Sequence, residues 1–165
     1  MRSLTRFAVP AAVALAVPLV AAPLGGPSCN ALPSVGNVGT GSAGAFGTPL
    51  LEGLGTPDIA TPSSFSFRVS GGVPQAPGIL LLQRREIPIT SNVYQTTLYT
   101  GSGGVAVPFV LDGAGVALID PHPTASPIQA LCGMDLIAQA VVFDFTAPGG
   151  GAWTQGLRFR FGTAP

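Results

Sequence analysis

The sequence predicts an all-β fold, an antiparallel β-sandwich of about six to eight short strands with Ig-like or jelly-roll-like connections. Three observations carry this reading. Glycine (23) and proline (17) crowd a chain of 165 residues well beyond average usage and punctuate it with turns. Strict apolar–polar alternation recurs at residues 64–70 and 157–161, the period-two signature of half-buried strands. No stretch carries the 3.6-residue period of an amphipathic helix, and no fixed-period repeat suggests a solenoid or propeller. A small β-barrel is the alternative closure of the same strands.

The chain divides into three parts. Residues 1–28 read as a signal peptide. Arg2 and Arg6 supply a positive start, and an uncharged Ala/Val/Leu stretch follows from Phe7 to Leu24. Pro10 and Pro18 interrupt it, which disfavours an uncleaved membrane anchor. Cleavage falls between 22 and 28, since Pro23 follows the small residues Val20, Ala21 and Ala22. Residues 29–63 read as a Gly/Pro-rich irregular lead-in with one short edge strand. Residues 64–165 form the sandwich domain.

Within that domain Phe65, Phe67 and Val69 share one face of the first strand. The run Ile79, Leu80, Leu81 and Leu82, bounded by Pro77-Gly78 and Arg84-Arg85-Glu86, is too short for a helix and reads as a central strand. Residues 94–100, 105–111 and 116–119 give three more strands, the last following the turn Asp112-Gly113-Ala114-Gly115. Residues 135–145 are the longest candidate, with an Ala-rich middle that propensity alone would make helical. In the final strand Leu157, Phe159 and Phe161 point inward, and Arg158 and Arg160 outward.

Charge narrows the choice of partner. Only 8% of residues are charged, and every basic residue is arginine. Loss of Arg2 and Arg6 with the signal leaves five arginines against seven acids, about −2. With no lysine and no basic patch, nucleic acid is not an expected partner. Surface polysaccharide or another secreted protein fits better, with no transmembrane anchor once the signal is cut and with localisation outside the cell, at its surface or in a periplasm.

An exported chain meets an oxidising compartment, so Cys29 and Cys132 are expected to form a disulfide. Two other readings stand beside it. Cys29 could be a lipid acceptor, although Gly26-Pro27-Ser28 lacks the leucine expected three residues before it; or both thiols are free, with Cys132 packed as a small hydrophobe.

Several constellations imitate chemical sites. Gly39-Thr40-Gly41-Ser42-Ala43-Gly44 satisfies the dinucleotide pattern but has no strand-then-helix setting, so a flexible loop is expected. A hydrolase built on Ser42, the single histidine His122 and an acid lacks the strand-turn-helix elbow that exposes such a serine. Asp112 and Asp120 bracket a predicted strand and together fall short of the oxygens calcium needs; turn formation explains Asp112 more simply. No catalytic, metal or cofactor-binding residue is assigned, and no cofactor is expected. For a carbohydrate ligand the candidate platforms are Trp153 and Tyr94, with Tyr99 a further aromatic. Trp153 shares parity with Leu157, Phe159 and Phe161, which sends it into the core unless a bulge beside Gly149-Gly150-Gly151 shifts the register.

Four segments carry a family resemblance: Ala76-Pro77-Gly78-Ile79-Leu80-Leu81-Leu82; Leu111-Asp112-Gly113-Ala114-Gly115-Val116-Ala117-Leu118; Leu131-Cys132-Gly133-Met134-Asp135-Leu136-Ile137-Ala138-Gln139-Ala140 with Asp144; and Trp153-Thr154-Gln155-Gly156-Leu157 through Gly162. Together they resemble a β-sandwich domain of unknown function that recurs, often C-terminally, in secreted proteins of planctomycetes and other bacteria. The resemblance covers roughly residues 64–162. Its motifs are structural, and it implies no chemistry for Gln139 or Asp144. Similar chains carry the domain behind an enzyme or repeat region, whereas here it stands nearly alone. The expectation is a secreted, non-enzymatic structural or interaction module, with a carbohydrate-binding module as the alternative and a hydrolase as a minor one.

Overall fold

The computed structural model describes residues 29–84, 88–100, 104–120 and 128–165. The expected signal segment, the Arg85-Glu86 turn and His122 lie outside the described residues. Strands are numbered β1 to β11 in chain order. The larger antiparallel sheet runs β1 (Ser34–Val38), β11 (Gly156–Arg160), β9 (Asp135–Phe143), β4 (Pro77–Gln83), β7 (Val105–Val110), with β10 (Gly151–Trp153) also paired to β9. The smaller sheet runs β2 (Leu50–Leu54), β3 (Ser66–Ser70), β8 (Ala117–Ile119). A separate hairpin joins β5 (Ile89–Ser91) and β6 (Thr96–Leu98). The fold is all-β and is not closed into a barrel.

The core lies between the two sheets, where the alternation in the sequence puts it. Leu51, Phe65, Phe67 and Val69 from the smaller sheet and its approach meet Leu80, Ala138, Ala140, Val142, Leu157 and Phe159 from the larger. Phe65, Phe67 and Phe159 form a ring cluster with centroids 5.1–5.4 Å apart, the spacing at which aromatic quadrupoles favour edge contacts. Outside the core, Arg68 pairs with Glu52 at 2.6 Å and Arg160 with Asp135 at 2.7 Å. The central placement of residues 79–82 holds: β4 is paired on both sides, to β9 and β7. β9 is strand throughout, ladder bonds on both flanks overriding the helical propensity of its alanines.

Two differences from the sequence reading have physical causes. Eleven strands form, because several are only three residues long, too short for periodicity to register. Segment 29–63 also contributes two strands, not one: β1 closes an edge of the larger sheet on β11, and β2 an edge of the smaller sheet on β3. Long-range pairing, which local composition does not encode, supplies both.

β7 ends its sheet with Pro108 in the middle. Leu111 N–H donates to the Ala76 carbonyl at 3.0 Å, so by alternation the odd-numbered residues bond β4 and position 108 faces the open edge. Proline there removes a donor from the edge that would otherwise recruit another strand.

A disulfide joins Cys29 to Cys132, with Cα atoms 5.7 Å apart across a separation of 103 residues. It occupies the sulfur that lipid attachment would need. The start and end of the described chain meet there: Thr163 Oγ1 donates to the Cys29 carbonyl at 2.8 Å and Thr163 N–H to the Ala31 carbonyl at 2.9 Å. Closing so long a loop is worth up to roughly 4.7 kcal/mol on the chain-entropy account. Reduction, or Cys132→Ser, is therefore expected to lower the free energy of unfolding by about 2–5 kcal/mol, read as a lower urea midpoint at unchanged pH; an unaltered midpoint would contradict the disulfide's stabilising role.

Candidate functional site

The chain's unusual side-chain chemistry gathers around one irregularity in the larger sheet. Leu157 opposes Ala138 on β9 whereas Trp153 opposes Val141, so residues 154–156 face only 139 and 140. One extra residue makes a β-bulge and reverses side-chain parity across it. Trp153 accordingly does not follow Leu157, Phe159 and Phe161 into the inter-sheet core. It lies on the outer face of the sheet with Gln139 and Val141, against Tyr94 at a centroid distance of 5.3 Å. It is nonetheless only 7% exposed, because the segment carrying β5 and β6 covers this face.

Gln139 fastens that cover. Fully buried, its Oε1 accepts the Tyr99 N–H at 2.9 Å, and its Nε2 donates to the carbonyls of Thr97 (3.1 Å) and Thr154 (3.0 Å). Tyr99 lies over Gly156, where any side chain would strike its ring. The bulge residues meet their own polar demands: Thr154 Oγ1 accepts the Ala140 N–H at 2.9 Å, and Gln155 reaches β2, donating from Nε2 to the Leu51 carbonyl at 2.6 Å.

The glycine-rich loop folds against the bulge. Ser42 N–H donates to the Trp153 carbonyl at 2.9 Å, and Ser42 Oγ accepts the Trp153 N–H at 3.2 Å. This hydroxyl is buried and engaged, unlike a nucleophile at an exposed elbow. Gly41 sits against the Trp153 carbonyl and Gly44 against the Asp144 carboxylate, with no room for a Cβ at either. Close approach to β10 explains these glycines, and the dinucleotide pattern is incidental.

Asp144 is the second hub. Its Oδ1 accepts the Thr146 hydroxyl at 2.6 Å and the Thr146 N–H at 2.9 Å, while Oδ2 accepts the Ala45 N–H at 2.6 Å. The Thr146 hydroxyl, opposed by burial and helped by the backbone donors of Ala45, Thr146 and Ala147, holds this carboxyl below the usual carboxylate range. One buried carboxylate thus binds turn 144–150 to loop 44–47. Beside it stand Phe145, 97% exposed, and Phe46, 62% exposed. Val93, 65% exposed, packs with Tyr94 on Gly149 of the same turn. This apolar end gave no signal in the sequence beyond isolated phenylalanines, because its members come from three segments far apart in the chain.

The remaining candidates lie elsewhere. Asp112 Oδ1 accepts the N–H groups of Ala114 (2.8 Å) and Val116 (2.9 Å), closing a turn as its position suggested. Asp112 and Asp120 line an open groove of about 550 Å³ beside β7 and β8. Among the described residues no three His, Cys, Asp or Glu side chains converge to hold a metal.

Two outcomes are expected. Gln139→Ala strands the Tyr99 N–H and two carbonyls, so chemical denaturation should show a loss of about 2–4 kcal/mol, with the near-ultraviolet signal of the Tyr94–Trp153 pair altered. Because the folded Asp144 carboxyl titrates below its unfolded counterpart, its contribution is complete above about pH 4 and vanishes as pH falls through the folded value. Asp144→Asn should lower stability at neutral pH by about 1–3 kcal/mol and flatten the acid limb of the stability–pH curve; an unchanged acid limb would count against this role.

No family model, curated protein or solved structure matches the chain.

Proposed function

We propose that the chain is a secreted, non-enzymatic interaction module working at the cell surface or in the extracellular space. One observation carries the reading: the fold spends a buried carboxylate and two loops on holding Phe46 and Phe145 in water. Exposing large apolar side chains on two loops tied together by one carboxylate opposes the hydrophobic effect, and exposed apolar patches mark sites of interaction. The disulfide is compatible with an oxidising compartment, and no helix among the described residues is long and apolar enough to cross a membrane. The resemblance to the secreted planctomycete-type domain supports the same reading.

The carbohydrate alternative in its sequence-derived form draws less support, since Tyr94 covers the Trp153 indole and leaves it no open face for a pyranose ring. The hydrolase alternative draws little, since the Ser42 hydroxyl is committed to Trp153.

The test is retention of the oxidised protein on the cell-envelope fraction. Wild type is expected to be retained, and Phe46→Ser/Phe145→Ser released at unchanged thermal stability. Retention indifferent to both rings, or turnover of general esterase, protease or glycosidase substrates abolished by Ser42→Ala, would overturn the reading.

A further inference from the structure

We infer that the Phe46/Phe145 end docks on the neutral surface of a lipid bilayer, with both rings entering the boundary between headgroups and acyl chains. This rests on the interaction-module reading and names its partner.

The first ground is charge. Segments 36–51, 88–100 and 136–157, which build this end, contain one charged side chain, Asp144, and it is buried and bonded. Such a surface offers no complement to an anionic glycan or a charged protein face, and nothing that anionic lipid would attract. It matches zwitterionic headgroups. The second ground is the state of the rings. An aromatic that stacks on sugar keeps one face packed on protein so that the other lies flat, but Phe145 at 97% exposure has neither face packed. Three hydroxyls of these segments are used internally, Thr146 on Asp144, Ser42 on Trp153 and Thr96 on the Thr40 carbonyl. Phenylalanine is among the residues that line the inserted face of interfacial elements. The third ground is preorganisation. The Asp144 bonds fix both loop backbones before contact, so little ordering entropy opposes docking.

Full transfer of a phenylalanine from water is worth roughly tenfold to a hundredfold in partition. The oxidised protein is therefore expected to float with phosphatidylcholine vesicles equally at low and high salt. Phe145→Ser should reduce flotation about tenfold or more, and Phe46→Ser/Phe145→Ser should abolish it. Leu118→Ser, which removes an apolar side chain of the smaller sheet whose exposure lies between those of Phe46 and Phe145, should change nothing. As an independent readout, Phe145→Trp should show blue-shifted emission on vesicle addition. Absence of flotation, flotation only with anionic lipid, or equal flotation of the double variant would overturn the lipid assignment. If vesicles fail while envelope retention still depends on the two rings, the lipid assignment falls and the module reading stands; if retention is indifferent to the rings, both fall.

Discussion

A single extra residue between Trp153 and Leu157 governs the rest of this molecule. The bulge turns Trp153 to the outer face of the larger sheet and leaves the Ala140 N–H and the Thr154 carbonyl without ordinary ladder partners. The Thr154 hydroxyl accepts the first and the Gln139 amide donates to the second, while Gln155 crosses to the Leu51 carbonyl of β2. Since an unpaired buried polar group costs about 1–3 kcal/mol, these side chains are not interchangeable with apolar ones of similar size.

The bulge also explains why a two-sheet sandwich has a third layer. β9 buries both faces: Ala138, Ala140 and Val142 meet the opposing sheet, while Ile137, Gln139 and Val141 require cover of their own. The segment with β5 and β6 provides it, clamped through Gln139 and seated by Tyr99 on Gly156. At the adjoining end, Asp144 gathers a turn and a loop and leaves their phenylalanines in solvent. Polar bonds and apolar exposure are thus two sides of one construction: the carboxylate orders the loop backbones from which the bare rings project.

Legibility from sequence followed the range of each interaction. Strands β3 and β11 were evident because alternation is local, whereas the disulfide followed from sequence only as the leading reading for a chain expected to be exported. The Asp112 turn was evident because its bonds span four residues. Trp153 was legible only as a conditional: its parity argument required an unbroken register, and the bulge broke it. The glycine pattern at 39–44 imitated a phosphate loop because close approach to any backbone demands the same residue.

By itself, then, the sequence determined the fold class and most core-facing residues, which rest on period-two patterning and composition, while the cysteine pairing stood as one of three readings until the structure joined Cys29 to Cys132. Only the tertiary structure decided the roles of Gln139, Asp144 and Trp153, and the meeting of Phe46, Phe145 and Val93 at one end. Those depend on contacts between segments 40 to 111 residues apart, and a one-residue shift in register, invisible to periodicity, moves a side chain from one face of a sheet to the other.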